Sequence, residues 1–125
     1  MLTEKQVRRI IDRWAPRLGL RDWQWLIEIV DAQDVDGNGA PADVGRDTTM
    51  HTAAVRIIAD APTAQADEYI LHELVHCVLH PLWSAAQIAA KQLDGQAAKL
   101  AAAHIGVGEE LVVQALVRAL RQEAT

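Results

Sequence analysis

The chain has few of the residues that build aromatic, disulfide-linked or strongly basic proteins. Its 125 residues include no Phe, one Tyr and one Cys, which excludes an intrachain disulfide. The net charge is −5 and Lys and Arg form no cluster, which argues against binding nucleic acid through its phosphates. No apolar run approaches the roughly 20 residues of a membrane helix, and the N-terminus lacks a signal pattern. These absences favour a cytoplasmic protein without nucleic acid or membrane partners.

The apolar content is high enough for a folded core. Half of the residues are hydrophobic, and the length suits a single compact domain spanning residues 1–125. Much of the apolar content is Ala, which favours closely packed helices. Cys77 lies in an apolar segment, so we expect a buried structural thiol there and not a reactive one.

Hydrophobic periodicity predicts an α+β fold. Thr3 and Gln6 form a candidate capping box for a helix whose apolar stripe ends at Trp14. Alternating apolar residues predict strands at 23–30 and 52–59, with a third at 44–49, and the pair Trp23 and Trp25 is interpreted as core. We therefore expect a small mixed sheet packed on several helices, with a site between the sheet edge and one helix.

Pro, Ser and Gly residues predict the helix boundaries in the second half of the chain. A helix is predicted over residues 64–79, because Pro81 should end it. Ser84 is a candidate cap for an Ala-rich helix with a weak point at Asp94, ended by Gly106 and Gly108. A last helix is predicted over residues 109–123.

A segment between the first two strands resembles part of a calcium loop. The residues from Asp34 through Asn38 to Gly39 fit the first six positions of an EF-hand loop. The twelfth position is Gly45 instead of Glu, and a strand precedes the loop where a helix should. We therefore expect a turn segment joining two strands, with a calcium loop as the alternative.

One stretch carries a candidate metal site. His72 and His76 flank Glu73 in the pattern His-Glu-x-x-His, inside an apolar run that predicts a helix. Because an α-helix turns every 3.6 residues, the imidazoles lie on one face about 6 Å apart and can bind one metal ion. Glu73 is placed to reach a water on a zinc ion, which lowers the pKa of such a water to about 7. The alternative is a core helix whose histidines form ordinary hydrogen bonds, but such groups are costly in an apolar helix.

Through this motif the chain resembles the zincin metallopeptidases, whose signature is His-Glu-x-x-His. The stretch from His72 to His80 is also similar to short bacterial and phage peptidases of the ImmA/IrrE type, and the resemblance covers about residues 52–120. It implies a zincin-like, gluzincin-like fold with Zn²⁺ as cofactor, and hydrolysis of a protein or peptide substrate with Glu73 as the catalytic base. Zincins also have an edge strand that binds an extended peptide. The strand at 52–59 is either that edge strand or an ordinary sheet strand.

A catalytic zinc usually has three protein ligands, so the histidine pair needs a partner. The candidates are His80, Glu109 and Glu110. His80 lies a further helical turn along, which is awkward for a metal held between the other two histidines. We predict Glu109, because it shares a helical face with apolar residues, namely Val112, Val113, Leu116 and Leu120, whereas Glu110 shares a face with polar residues. The resemblance likewise implies a glutamate from a later helix, but the Glu-Ala-Asn often seen in ImmA/IrrE-type peptidases is missing here. Alternatively, both glutamates only favour a helix N-terminus.

The sequence leaves open which residue stabilises an oxyanion and whether the protein is an enzyme or an interaction module. Tyr69, His80 and His104 are candidates to stabilise an oxyanion, and each is equally consistent with packing. The other is the class of function. A catalytically silent zinc-binding regulatory or interaction module of phage or bacterial origin needs the same metal ligands as a peptidase.

Overall fold

The computed structural model describes residues 1–31, 40–47 and 49–124. Along the chain its elements are α1 (Glu4–Trp14), a 3-10 turn (Pro16–Leu18), β1 (Gln24–Val30), β2 (Ala42–Asp47), β3 (Thr52–Ile58), α2 (Thr63–Ala90) and α3 (Gly95–Ala124). The described residues thus contain three α-helices and one three-stranded mixed sheet, which confirms the predicted α+β class. The segment weighed as a calcium loop, Asp34 to Gly39, lies outside the described residues.

The chain forms two compact units, Met1–Val78 and Leu79–Thr125. The first unit contains α1, the sheet and the N-terminal part of α2. The second contains the C-terminal part of α2 and all of α3. The sequence-based prediction of a single domain stays a prediction.

Helix α1 begins and packs as its sequence predicts. The Thr3 side chain accepts from the Gln6 backbone N–H at 3.2 Å, and the Gln6 side chain accepts from the Thr3 backbone N–H at 2.8 Å, which completes the capping box. Val7, Ile11 and Trp14 are fully buried. Their spacing of four and three residues forms the apolar stripe that a helix on a core requires.

The indole of Trp14 ties α1 to the first turns of α2. Its Nε1 donates to Asp67 Oδ1 at 2.8 Å, so the one polar atom of this buried side chain has a charged acceptor. Arg13 lies 4.9 Å from the Trp14 ring and 3.7 Å from the same carboxylate oxygen. The hydrogen bond thereby fixes the N-terminal part of α2 within the first unit.

The sheet has the strand order β1-β3-β2. β1 pairs with β3 in parallel, and β2 pairs with β3 in antiparallel. Of the two alternatives for residues 52–59, the edge strand is therefore wrong and the ordinary sheet strand is confirmed, because β3 is hydrogen-bonded on both sides. Its buried residues, Ala53, Val55 and Ile57, alternate along the strand and form the face that lies in the core.

The two faces of the sheet differ in character. Across the register, Ile27 of β1 and Val44 of β2 both pair with the fully buried Val55 of β3. The opposite face is wetter and carries an ion pair between Arg56 and Asp43, whose Nε–Oδ1 distance is 2.9 Å. Arg56 thus lies on the less buried face of β3.

The tryptophan pair beside β1 does not lie in the core. Trp23 and Trp25 are half-buried and stacked, with ring centroids 5.7 Å apart. Trp23 also stacks on His51 at 5.6 Å. The interpretation of the pair as core is therefore wrong, and the fully buried tryptophan is Trp14.

Helix boundaries in the second half differ from the prediction. α2 continues through Pro81 to Ala90, because a proline inside a helix removes one backbone hydrogen bond while the Ala-rich sequence after it favours helix. The chain turns instead at residues 91–94, before Gly95, whose φ is +54°. α3 then runs through Gly106 and Gly108 without a break, since a helical glycine costs only about 1 kcal/mol relative to Ala.

Much of the apolar surface of the second unit is exposed. Leu82 of α2 is 71% exposed, and Val107 and Leu111 of α3 are each 61% exposed. By length and composition α3 is the one described helix that could cross a membrane, and 11% of its apolar stretch is buried. That criterion alone is weak evidence, because core helices of soluble proteins also satisfy it. The expected absence of a membrane partner stays a prediction.

Candidate metal centre

The histidine pair of α2 has the geometry of two ligands to one metal ion. The Nε2 atoms of His72 and His76 lie 3.3 Å apart, and their ring centroids are separated by 5.0 Å. Two nitrogens that bind one zinc tetrahedrally at 2.0–2.1 Å are separated by about 3.3 Å. Both rings are half-buried. The i, i+4 spacing on a regular helix therefore suffices to aim both ring nitrogens at a single point.

A carboxylate completes a candidate set of three. Ligand atoms of His72, His76 and Glu110 all lie within 4.8 Å of one another, and all three residues are half-buried. Two imidazoles and one carboxylate form a donor set typical of catalytic zinc, which keeps its fourth position for water. The residues thus form a candidate metal-binding cluster whose chemistry fits zinc.

Glu73 follows the first histidine and is half-buried. One residue corresponds to about 100° around a helix, so its side chain lies beside the histidine face and not on it. Its charge also acts on the thiol of Cys77, one turn further along the same face. Glu73 therefore lies beside the histidine pair on α2 and is not itself in the ligand group.

Glu109 lies in the second unit, beside an apolar cavity of about 300 Å³ whose lining includes Trp83 and Val112. It is not part of the group that contains Glu110. Glu109 was favoured because it shares a helical face with apolar residues that were expected to be buried. Val113 of that face is fully buried, but Val112 is 47% exposed, so the face supports Glu109 less than expected. The assignment of Glu109 as a ligand stays a prediction.

The other candidate polar residues have local contacts. His80 stacks on Trp83 with ring centroids 5.5 Å apart and is not in the ligand group. The Tyr69 hydroxyl donates to Gln65 Oε1 at 2.7 Å, within its own helix. His104 is exposed on α3. These contacts are those of packing and helix-surface residues, and the oxyanion role stays a prediction for all three.

Cys77 is fully buried, as predicted, next to the second histidine. Burial raises the pKa of its thiol to about 12, Arg46 lowers it and Glu73 raises it. The thiol therefore stays protonated at neutral pH. Burial in an apolar segment was the sequence signal for this inert role.

Arg46 was not singled out from the sequence. It lies on β2, and its buried Nε has no hydrogen-bond partner among the described residues. The available signal was the alternation of Ala42, Val44 and Arg46, which places an arginine in line with two apolar residues. The pattern includes Ala42 only if the strand begins at residue 42, as it does in the structure, whereas the predicted strand began at residue 44.

Comparison of the chain with protein-family models, curated proteins and solved structures found no match.

Proposed function

We propose that the chain is a zinc-dependent peptidase with a zincin-like site. The observation that carries the proposal is the 3.3 Å separation of the His72 and His76 Nε2 atoms within a His-Glu-x-x-His motif. Glu110 supports it as the third ligand, because its ligand atom belongs to the same group. Glu109 is the competing third ligand from the sequence. The substrate class is a protein or peptide, since this motif serves peptide hydrolysis in the zincins.

Each residue of the site has a distinct role. Zinc, when bound, supplies a Lewis acid that acidifies water and polarises the scissile carbonyl. The Glu73 carboxylate accepts a proton from the attacking water and delivers it to the departing amine, so that one peptide bond and one water yield a carboxylate and an amine. The half-buried setting of Glu73 limits its contact with bulk solvent.

A second candidate is a zinc-binding interaction module that cleaves nothing. The exposed apolar side chains of the second unit favour it, since large exposed apolar patches mark surfaces that bind other proteins. Both candidates use the same ligands. They differ in whether Glu73 performs chemistry.

The experiment that tests the proposal compares wild type with Glu73→Gln. Elemental analysis of both proteins should find about one zinc per chain. Wild type should cleave an unfolded protein such as reduced casein, and Glu73→Gln should be slower by roughly 100-fold or more, the usual contribution of a general base. Equal turnover by the two proteins would refute the role of Glu73. Zinc binding without cleavage by wild type would favour the interaction module.

The third ligand is tested by a matched pair of adjacent substitutions. Glu110→Gln and Glu109→Gln each remove one charge from neighbouring positions of α3, so global effects on charge and helix propensity are equal. Competitive titration with a zinc chelator should show a loss of zinc affinity of about 10-fold or more for Glu110→Gln, with little change for Glu109→Gln. The reverse ranking would assign the ligand to Glu109.

A further inference from the structure

A cleft lies between helix α1 and the first residues of β1. Its volume is about 580 Å³, and its lining comes from α1, the turn that follows α1 and residues 21–25, all within the first unit. The described residues that line it include neither Glu73 nor a member of the candidate ligand group. Ligand pockets in proteins have volumes of about 300–1,000 Å³, so this cleft is large enough for a small molecule.

One wall of the cleft is a fixed stack of aromatic rings. Trp23 and Trp25 both line it, are half-buried, and stack with ring centroids 5.7 Å apart. His51 stacks on Trp23 with an angle of 6° between the rings, and its backbone carbonyl accepts from the Gln24 N–H at 2.9 Å. His51 has a φ of +54°, in the left-handed region that residues other than glycine adopt rarely and at a cost. The residue that braces Trp23 is thus held in an unfavourable backbone conformation, and the wall is formed before any ligand binds.

Two arginines supply hydrogen-bond donors to the cleft. Arg8 Nη2 donates to the backbone carbonyl oxygen of Trp25 at 3.3 Å, which holds the guanidinium against β1. Its ion pair with Glu4, at 3.9 Å, is exposed and therefore weak. The Arg21 side chain also lines the cleft, and it has no ion pair or hydrogen bond with any residue in 1–31, 40–47 or 49–124. The planar fork of an arginine binds the oxygens of a carboxylate or a phosphate, so the cleft has donors available for an anion.

The segment around the cleft is positive although the chain as a whole is negative. Residues 1–22 contain six of the twelve Lys and Arg residues, in no run longer than two, and three of the seventeen Asp and Glu residues. Their net charge is therefore +3, whereas the whole chain carries −5. A positive potential concentrates anions near a cleft. Asp12, one helical turn from Arg8, is the acidic residue in the described lining and can accept a hydrogen bond from a ligand N–H group.

We propose that this cleft binds a small molecule that combines a planar ring with an anionic group. The ring stacks on the indoles of Trp23 and Trp25, whose flat faces favour offset stacking, and the anion binds the guanidinium of Arg21 beside that of Arg8. Two sources share this chemistry. One is the phosphate of a nucleotide, and the other is the carboxylate of an aromatic amino-acid derivative. The inference is independent of the proposed peptidase activity, because it uses none of the residues of the metal centre.

The test follows binding by NMR to the full ¹⁵N-labelled chain, whose four tryptophans give four indole N–H signals. Two pairs of probes share a ring and differ in charge. They are adenosine monophosphate with adenosine, and N-acetyltryptophan with its uncharged amide. Inorganic phosphate supplies an anion without a ring. The signals of Trp14 and Trp83 are internal references, because neither residue is in the described lining of the cleft.

The signals of Trp23 and Trp25 should shift in a saturable way, and the references should not. At least one anionic probe should bind about 10-fold or more tightly than its neutral counterpart, the effect of a charge-assisted hydrogen bond. A gain for adenosine monophosphate identifies phosphate as the anion, a gain for N-acetyltryptophan identifies carboxylate, and equal gains show that the cleft accepts both.

Substitutions of two nearby arginines test the source of this preference for anions. Arg21→Gln should abolish it, and Arg21→Lys, which keeps the charge, should retain part of it. Arg17→Gln is the matched control and should bind as wild type does, since Arg17 lies 5.5 Å from the Trp14 ring and is not in the described lining. Arg21 is exposed, so the variants should fold, and far-ultraviolet circular dichroism checks this.

The inference is overturned if neither anionic probe shifts the signals of Trp23 and Trp25, or if the neutral counterparts bind equally well. It is also overturned if inorganic phosphate alone produces the same shifts at the same concentrations, because the ring would then contribute nothing. Equal weakening by Arg17→Gln and Arg21→Gln would overturn it as well, since general attraction by positive charge would explain the binding.

Discussion

The hydrogen bond between Trp14 and Asp67 makes a quantitative prediction about the stability of the unit that holds the histidine pair. Asp67→Ala leaves the indole N–H buried without an acceptor, since Trp14 is 1% exposed and its Nε1 donates to Asp67 Oδ1 at 2.8 Å. An unsatisfied buried donor costs about 1–3 kcal/mol. The ion pair with Arg13 adds little, because that side chain is 47% exposed. We therefore expect a loss of about 2 kcal/mol in the free energy of unfolding, a factor of about 30 in the equilibrium constant.

Urea unfolding followed by far-ultraviolet circular dichroism measures this loss without relying on tryptophan fluorescence. Asp67→Asn keeps an acceptor oxygen and should cost less than half as much. Asp12→Ala, at an exposed position of α1, controls for the loss of a carboxylate. Trp14→Phe combined with Asp67→Ala should cost less than the sum of the single changes. The double variant lacks the indole N–H, so no buried donor is left without an acceptor. The reasoning is refuted if Asp67→Ala lies within about 0.5 kcal/mol of wild type, or if Asp67→Asn is equally destabilised.

Three further predictions address the cap, the thiol and the metal. Thr3→Ala removes the capping box of α1 and should cost about 1 kcal/mol in urea unfolding, whereas Thr3→Asp should cost little. The pKa of Cys77 is about 12 in the folded protein and 9.0 in its ordinary state, so its contribution to stability is complete below pH 9 and is lost as pH rises towards 12. Between pH 9 and pH 10.5 wild type should therefore lose stability faster than Cys77→Val, and parallel curves would contradict this. Free zinc at about 100 times its Kd should raise the stability of wild type by about 2.7 kcal/mol and leave His76→Gln unchanged. Equal stabilisation of both proteins would place the metal elsewhere.

The parts of the structure that follow from local geometry were predictable from sequence. The capping box depends on Thr3 and Gln6 alone, and a regular helix is enough to place His72 and His76 side by side on one face. The alternation of β3 likewise identified its buried residues, because side chains in a strand point alternately to opposite faces.

The parts that depend on packing were not predictable in the same way. Pro81 and Gly106 are helix-breaking residues by intrinsic preference, but α2 and α3 continue through them at the cost of one hydrogen bond or of backbone entropy. The central position of β3 depends on which strands pair, and this leaves no mark in the strand's own residues. The choice between Glu109 and Glu110 depends on which face of α3 is buried, and a helix with apolar residues on several faces does not reveal this.

The strand order has a consequence for how the protein folds. Gln24 pairs with Thr52, so every bond between β1 and β3 closes a loop of nearly thirty residues, whereas β2 and β3 are joined by residues 48–51. Short loops close within microseconds, and distant pairing has to overcome a larger loss of chain entropy. We expect the β2–β3 hairpin to form first and β1 to add to it later. Because β3 is the last of the three strands to be synthesised, β1 emerges from the ribosome well before β3, the strand with which it pairs. Any step that delays β3 therefore prolongs the time during which Trp25, Ile27 and Ile29 are exposed to aggregation.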